Sequence, residues 1–166
     1  MQNKELVGGT WSPTSSISTL KYFLADATNH KVRVHQWDFI RVLLQAKFKS
    51  RVFLKLDSRY AYYFLEYSNY FWRALRLLNS MYGMTNSGEL FADELTDWLH
   101  EAGFIQYQFQ VSIYYKYAPY GTKQIVLYYV DDCVYWYTSE ALRKWFVDTL
   151  GNMFHVNLLI YAHWFM

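Results

Sequence analysis

The sequence predicts an α+β fold, with an antiparallel sheet and helices packed on one face of it. Apolar residues recur at helical spacing in three segments, whereas other segments alternate between apolar and polar residues, as strands do. Two strand-like runs, VSIYYKYA and QIVLYYV, flank the turn sequence PYGT, and a third, CVYWYT, follows two adjacent aspartates. These runs predict antiparallel hairpins. The 166 residues contain no linker and no internal repeat, so one domain is expected.

The first half of the chain is predicted to begin with a helix and to continue as strands. Ser15 or Ser16 can cap the helix, which runs to about Asn29. Its apolar stripe consists of Ile17, Leu20, Leu24 and Ala27. The segment KVRVHQWDFI then alternates as a strand that ends near Asp38. Residues 47–56 alternate again, and RALRLLNS is predicted to be a further strand. Extended geometry would place one set of basic residues on a common face: Lys47, Lys49, Arg51 and Lys55.

The second half is predicted to contain two helices, the hairpins and a final strand. Asn86 and Glu89 have the spacing of a capping arrangement at the start of NSGELFADELTDWLHEAG, and Gly103 suits the position after its end. The stripe of this helix is Phe91, Leu95, Trp98, Leu99 and Ala102. Ser139 is predicted to cap the last helix, which Gly151 ends. Its stripe is Leu142, Trp145, Phe146 and Leu150, and the tail HVNLLIYAHWFM follows as a strand.

Composition and charge exclude several classes of function. The formal net charge is +2, so nucleic-acid binding would require a local basic patch. A single cysteine excludes an intramolecular disulfide and a cysteine-based zinc site, which is consistent with a reducing compartment. Neither a run of about 18 apolar residues nor a signal peptide is visible. Gly (7) and Pro (2) are few, so either a few turns carry the topology or substitutions have eroded the pattern.

Three carboxylates form the candidate site. Asp38 ends one predicted strand, and Asp131 and Asp132 lie at the tip of a predicted hairpin. If those strands are neighbours, the carboxylates converge at one edge of the sheet. Oxygen ligands of this kind suit Mg²⁺, and two such ions can activate a hydroxyl nucleophile and stabilise a leaving phosphate oxygen. The alternative is that Asp-Asp serves only as a turn and that Asp38 only ends a strand. The spacing of the residues leaves both open.

Five stretches of the sequence follow the order of one family's motifs. They are TWSPTSSISTLKYFLADA, HQWDFIRVLLQAK, SMYGMTNSGELFADEL, the box Tyr129-Val130-Asp131-Asp132, and the tail FHVNLLIYAHWF. They resemble a helix T-x-S-P-V-x-x-x-T-L-R, the boxes H-Q-L-D-x-x-x-A-F-L, S-L-Y-G-L-K-Q-S/A-x-x-x-W/F and Y/F-V-D-D, and the segment after the last box. The family is the reverse transcriptases of copia-type LTR retrotransposon Pol polyproteins. The resemblance implies that residues 1–166 form a single partial domain, a polymerase palm with incomplete fingers, without thumb, connection or RNase H regions.

The resemblance also implies roles for individual residues. Asp38, Asp131 and Asp132 would be catalytic and would hold the metal, together with the backbone carbonyl of Phe39. The residues implied to bind the incoming nucleotide are Leu43, Tyr82, Gly83, Asn86 and Tyr129. The implied cofactor is a pair of Mg²⁺ ions, for which Mn²⁺ can substitute. The implied partners are an RNA or DNA template-primer, dNTP and the rest of the Pol polyprotein, without a membrane, in a cytoplasmic virus-like particle.

Several positions depart from the family pattern. Leu43 stands where the family usually has Phe or Tyr to exclude a ribose 2′-hydroxyl, and Arg41 adds bulk and charge nearby. Thr85 replaces a lysine, and Ile160 stands where glycine is common. The basic residues of the fingers that grip the triphosphate are expected upstream of this sequence. These departures keep a second hypothesis open, in which the chain is a truncated or decayed palm without polymerase activity.

The basic strand supports a third hypothesis. Lys47, Lys49, Arg51 and Lys55 could contact template or primer phosphates, in a nucleic-acid-binding module without catalysis. The alternative is that they form an ordinary solvated strand face. His35 precedes the first aspartate motif and is interpreted as a structural histidine. Most tyrosines and tryptophans are interpreted as core and sheet residues, since β-structure favours aromatic side chains.

Overall fold

Four α-helices and eight β-strands make up the part of the chain that the computed structural model describes, residues 15–55, 57, 74–129 and 132–159. The helices are α1 (Ile17–Asn29), α2 (Val42–Gln45), α3 (Ser87–Glu101) and α4 (Glu140–Met153). The strands are β1 (His35–Phe39), β2 (Lys47–Lys55), β3 (Ala74–Asn79), β4 (Ile105–Tyr107), β5 (Gln110–Ala118), β6 (Thr122–Tyr129), β7 (Asp132–Tyr137) and β8 (Val156–Leu159). The predicted order is confirmed, and α2 and β4 are additions to it. The predictions for Asp131 and Ile160 lie outside the described residues.

Six strands form one antiparallel sheet in the order β4-β5-β6-β7-β1-β8, and β2 and β3 form a separate hairpin. Strand β1 therefore lies between β7 and β8 and is antiparallel to both. This confirms that the strand ending near Asp38 is the neighbour of the acidic hairpin. Within the described ranges, no helix is both long and apolar enough to cross a membrane.

Helices cover both faces of the sheet, so the prediction that they pack on one face was wrong. On one face, α3 and α4 bury a large cluster that includes Trp37, Tyr135 and Phe146, here called the larger core. On the other face, α1 packs Phe23 and Ala27 against β5, β6 and β7. The reason lies in the central strands, whose alternate residues are apolar on both sides. A strand that is apolar on both faces requires cover on both.

Helix α1 begins where the sequence predicts, but its predicted stripe is only partly buried: Ala27 is buried and Leu20 packs against the cluster beneath the helix, whereas Leu24 is exposed. The Ser16 hydroxyl accepts a hydrogen bond from the Thr19 backbone N–H at 3.1 Å, which confirms the cap. The buried residues are Thr19, Phe23 and Ala27, whereas Ile17 of the predicted stripe is 75% exposed. Residues four apart also share a helix face. The buried side extends to Phe23 because burial of its phenyl ring removes a large apolar area from water.

Glycines occupy two different positions near the ends of α3 and α4. Gly103 follows α3 with a φ of 83°, which confirms the predicted left-handed residue after the helix. Gly151 does not end α4, because the helix continues to Met153. The continuation brings Phe154 into the larger core, where its backbone N–H donates to the Leu150 carbonyl at 2.8 Å. Burial of an aromatic ring outweighs the weak helix propensity of one glycine.

Alanine at these two glycines is expected to change stability in opposite directions. Gly103→Ala should lower the free energy of unfolding by about 1–2 kcal/mol, since a side chain disfavours the left-handed conformation. Gly151→Ala should raise it by up to about 0.5–1 kcal/mol, because the residue is helical and an added Cβ meets no atom within 4 Å. Urea unfolding of both variants measures the two changes. A change of the same sign at both positions would contradict these backbone assignments.

Candidate active site

Four polar side chains form a row across one end of the sheet, here called the carboxylate row. Asp38 of β1 lies opposite Asp132 of β7, Tyr129 of β6 lies opposite Asp132, and Asn157 of β8 lies opposite Asp38. Residues that are directly opposite in antiparallel strands project to the same face, with Cβ atoms about 4.5–5.5 Å apart. The convergence of Asp38 and Asp132 is therefore confirmed. Asp131 precedes Asp132 in the sequence and lies outside the described residues.

The row lies on the same sheet face as α1, but past the residues that α1 buries. In β1, Trp37 and Phe39 are buried in the larger core, so Gln36 and Asp38 project to the opposite face. In β7, Val134 and Trp136 on this face pack in the cluster beneath α1, whereas Asp132 is only half-buried. The strands thus hold two carboxylates rigidly at the boundary between an apolar layer and solvent. A charged ligand can reach such a boundary without being fully buried.

The electrostatics of the row favour a bound cation. Burial, and then the neighbouring charge of Asp132, raise the pKa of the Asp38 carboxyl above its ordinary value. The Gln36 side-chain amide donates a hydrogen bond to Asp132 Oδ1 at 3.1 Å. This hydrogen bond reaches only one of the two adjacent carboxylates, so the like charges of Asp38 and Asp132 still repel each other. A divalent cation would relieve that repulsion.

The donor set fits Mg²⁺, which prefers carboxylate oxygens and keeps several waters. Across the described ranges, no group of three or more His, Cys, Asp and Glu side chains could hold a metal ion. Asp38 and Asp132 supply two carboxylates, and the sequence supplies a third at Asp131, directly before Asp132. The side chain of Phe39 is buried in the larger core, and its backbone pairs with Val156 of β8. A metal contact from its carbonyl stays a prediction.

The residues predicted to bind nucleotide lie in three different settings. Tyr129 is partly exposed beside Asp132, which places it in the carboxylate row. Tyr82 and Gly83 lie in an exposed turn before α3, where Gly83 has a φ of 85°. Asn86 occupies the N-cap position of α3, but its side chain makes no capping hydrogen bond. Leu43 packs partly against the larger core. Of these residues, only Tyr129 is joined to the two aspartates by strand pairing.

Hydrogen bonds fix the segment that carries these residues. The Ser80 hydroxyl donates to the Leu43 carbonyl, and the Ser80 backbone N–H donates to the Ala46 carbonyl at 2.8 Å. The Ser87 hydroxyl donates to the Met81 carbonyl, also at 2.8 Å. Both serines are buried. The turn before α3 is therefore tied to α2, which directly follows the strand that carries Asp38.

The basic strand is not a free cationic face. The ammonium of Lys49 lies 3.0 Å from Asp93 and 3.8 Å from Asp97 of α3, and the hydrogen bond to Asp93 is the main cause of its raised pKa. Register shifts between Lys47 and Val52, so the simple alternation of faces is interrupted. Most side chains of β2 are exposed. Nucleic-acid contact by Lys47, Lys49, Arg51 and Lys55 stays a prediction, and for Lys49 it would compete with these ion pairs.

Two residues of the site were missed in the sequence. Gln36 contacts Asp132, and Asn157 lies opposite Asp38. Gln36 stands two residues before Asp38, and residues two apart in a strand share a face, so the period of the strand could have revealed it. Asn157 depends on the register of β8 against β1, which no local sequence pattern indicates. His35, in contrast, is buried and 2.9 Å from the Tyr137 hydroxyl, as expected of a structural histidine.

Asparagine at position 132 is expected to stabilise the metal-free chain at neutral pH by about 0.2–1 kcal/mol, since it removes a like charge opposite Asp38. Its amide oxygen can still accept from Gln36. The raised pKa of Asp38 means that the folded wild type keeps a proton that the unfolded chain has already lost. Wild-type stability should therefore fall as pH rises from the ordinary Asp value through the folded pKa.

Urea unfolding at neutral pH and at about pH 3, below the ordinary Asp pKa of about 3.9, tests this expectation. The stabilisation by Asp132→Asn should be present at neutral pH and absent at the lower pH, where the Asp38 carboxyl, whose pKa burial and then the charge of Asp132 raise, is protonated. Asp148→Asn on the exposed side of α4 is the matched control and should show no such gain. An equal gain for Asp132→Asn at both pH values would show that charge repulsion with Asp38 is not the cause.

One family matches the chain across this site. Its sequence model is described as reverse transcriptase (RNA-dependent DNA polymerase) and matches residues 2–166. The matched region contains the carboxylate row, Asp131 and the segment before α3. No curated protein and no solved structure matches the chain.

Proposed function

Because the chain belongs to the reverse transcriptase (RNA-dependent DNA polymerase) family, we propose that it is the palm, with part of the fingers, of a copia-type LTR retrotransposon Pol polyprotein. Its reaction is the attack of a primer 3′-hydroxyl on the α-phosphate of a dNTP, with release of pyrophosphate, on an RNA or DNA template. The observation that carries the proposal is the pairing of Asp38 with Asp132, which Asp131 directly precedes in the sequence. Turn formation alone would not require a third aspartate on the neighbouring strand.

Asp38 and Asp132 are each held by separate contacts. Asp38 is held by β7 on one side and β8 on the other, so its position is set by two strand neighbours. Asp132 begins β7 and accepts the hydrogen bond from Gln36. Asp131 would add a third carboxylate. These three residues would hold two Mg²⁺ ions, with Mn²⁺ as a substitute, and Phe39 would offer its carbonyl. When bound, the ions would lower the pKa of the primer hydroxyl and neutralise phosphate charge.

The surrounding residues would place the substrates. Tyr129 lies next to Asp132 with a partly exposed ring, which could contact the sugar or base of the nucleotide. Because Gly83 has no side chain, the backbone before α3 could approach the nucleotide closely there. Tyr82 and Asn86 lie on either side of Gly83 in the sequence. Partners would be a template-primer, dNTP and the rest of the Pol polyprotein, in a cytoplasmic particle.

Primer extension tests the proposal. The protein that carries this chain should extend a primer on an RNA template when Mg²⁺ or Mn²⁺ is present. Asp131→Asn should abolish that extension. Extension that is unchanged by Asp131→Asn would overturn the assignment of the site.

A second candidate is a palm that binds metal but does not polymerise. Two observations favour it. Leu43, at the position proposed to contact the nucleotide sugar, packs partly against the larger core. Lys49, proposed to contact phosphates, is paired with Asp93 and Asp97. This candidate predicts Mn²⁺ binding that depends on Asp38, with no primer extension under any divalent cation.

A further inference from the structure

Gln36 is the one buried polar side chain that contacts the carboxylate row from within the sheet, among the residues described. It is 5% exposed, and its Nε2 donates to Asp132 Oδ1 at 3.1 Å. It stands opposite Val134, so Asp132 is its diagonal neighbour on the adjacent strand. A diagonal separation of about 7–8 Å between backbones is within reach of a long side chain. The contact therefore follows from the register of β1 against β7.

The orientation of the Gln36 amide is determined by its neighbour. An amide oxygen turned towards Asp132 would repel the carboxylate, whereas the amide N–H₂ group donates to it. The opposite atom, Oε1, is buried and has no hydrogen-bond partner among the described residues. A buried acceptor without a partner is unfavourable. The side chain keeps this arrangement because its donor meets a negatively charged acceptor, and hydrogen bonds of that kind are the stronger ones.

The hydrogen bond from Gln36 engages one specific oxygen of the Asp132 carboxylate. Gln36 donates to Oδ1 at 3.1 Å, which restrains the rotation of the Asp132 carboxylate and engages one of its two oxygens. Asp38 lies opposite Asp132 on the same face and has no such amide donor among the hydrogen bonds of the described residues. The two carboxylates therefore differ in how firmly they are oriented. A cation that bridges them would find one carboxylate already in place.

We propose that Gln36 is a positioning residue, which holds the Asp132 carboxylate in the orientation that binds a divalent cation. The inference rests on the proposed function of the site and names a residue that acts on a metal ligand without contacting the metal. Groups that orient metal ligands typically change metal affinity by about 10- to 100-fold when they are replaced. Gln36 belongs to this class by its contact and by its burial.

A second buried glutamine provides the matched control. Gln124 of β6 is fully buried, and its Oε1 accepts a hydrogen bond from the Tyr135 hydroxyl at 2.7 Å. Gln124 and Val126 are two residues apart in β6 and therefore project to the same face, which is that of the larger core. Ile125 and Leu127 project to the opposite face, beneath α1. Gln124 is therefore on the side of the sheet away from the carboxylate row. The same substitution at both positions removes a buried amide of equal size.

The experiment is a titration of Mn²⁺ against the complete 166-residue chain, read from the electron paramagnetic resonance signal of free Mn²⁺. Urea unfolding of each metal-free variant is measured beside it. Gln36→Met removes the donor at nearly constant volume, and Gln36→Asn shortens the amide so that it cannot reach. Both should raise the dissociation constant for Mn²⁺ by about 10-fold or more, whereas Gln124→Met should leave it unchanged despite a comparable loss of stability.

The outcomes separate this inference from the proposed function. Wild-type binding that persists unchanged in both Gln36 variants overturns the positioning role and leaves the metal site intact. An equal loss of affinity in Gln124→Met also overturns it, because the effect would then follow from general destabilisation. A wild-type chain that binds no Mn²⁺ contradicts the proposed metal site, and the role of Gln36 falls with it. The proposal is supported if Mn²⁺ binding is weaker in both Gln36 variants and unchanged in Gln124→Met.

Discussion

Replacement of Asp38 or Asp131 by asparagine is expected to lower templated primer extension by at least about 100-fold, since bound metal supplies several kcal/mol of transition-state stabilisation. The substitution keeps the shape of the side chain and removes the charge that holds the cation. In the free protein, Asp38→Asn also removes repulsion with the opposing Asp132. The variant should therefore lose activity while its stability stays equal or rises. Loss of activity without loss of stability is expected for a metal ligand whose negative charge destabilises the metal-free protein.

The measurement is the rate of dNTP incorporation into a primer on an RNA template, in the protein that carries this chain, with each variant purified in parallel. Asp148→Asn is the matched control, because Asp148 is an exposed aspartate on α4, which covers the other face of the sheet. Its rate should equal that of the wild type. A wild-type rate in Asp38→Asn would remove Asp38 from the site, and equal loss in Asp148→Asn would show that the assay reports folding.

Removal of the Phe146 ring is expected to lower the free energy of unfolding by about 3–5 kcal/mol, the range for large-to-small changes at buried aromatic residues. Phe146 is 1% exposed in α4, and its ring stacks on Tyr135 with centroids 4.5 Å apart and planes 13° apart. Trp37 of β1 lies 5.1 Å from it, and Trp98 of α3 lies 5.6 Å away. The ring thus joins α4, α3 and the strand that carries Asp38.

Phe146→Ala should therefore loosen the site as well as the core. Urea unfolding gives the loss of stability, and Phe109→Ala is the matched control. Phe109 lies in the turn between β4 and β5 and is 77% exposed, so its loss should change stability by no more than about 0.5 kcal/mol. A cost for Phe146→Ala as small as that for Phe109→Ala would contradict the packing of α4 on the sheet.

The sequence predicted the elements well because their signals are local. Ser16 capped α1, Gly103 followed α3, and the turn after β5 joined the hairpin as PYGT indicated. Errors arose where tertiary contacts decided. The buried face of α1 depends on the apolar side of three strands, and α4 passes Gly151 because Phe154 is buried beyond it. A local stretch of sequence shows neither the strands against which α1 packs nor the burial of Phe154.

The same distinction applies to the site. The sequence predicted that Asp38 and Asp132 converge if their strands are neighbours, and the register places Asp38 opposite Asp132. It did not predict the hydrogen bond from Gln36, the position of Asn157 or the ion pairs of Lys49 with α3. These depend on strand register and on the distance between separate elements. A pattern of residue types identifies ligands, whereas their supporting contacts require the assembled sheet.

Asp38 and the adjacent aspartates Asp131 and Asp132 are expected to share a divalent cation. Anomalous diffraction from crystals of this chain grown with Mn²⁺ locates the metal without reference to activity. We expect a Mn²⁺ ion coordinated by carboxylate oxygens of Asp38 and of at least one of Asp131 and Asp132. Fully occupied Mn²⁺ sites elsewhere, with Asp38 and Asp132 both uncoordinated, would show that these aspartates do not form a metal site.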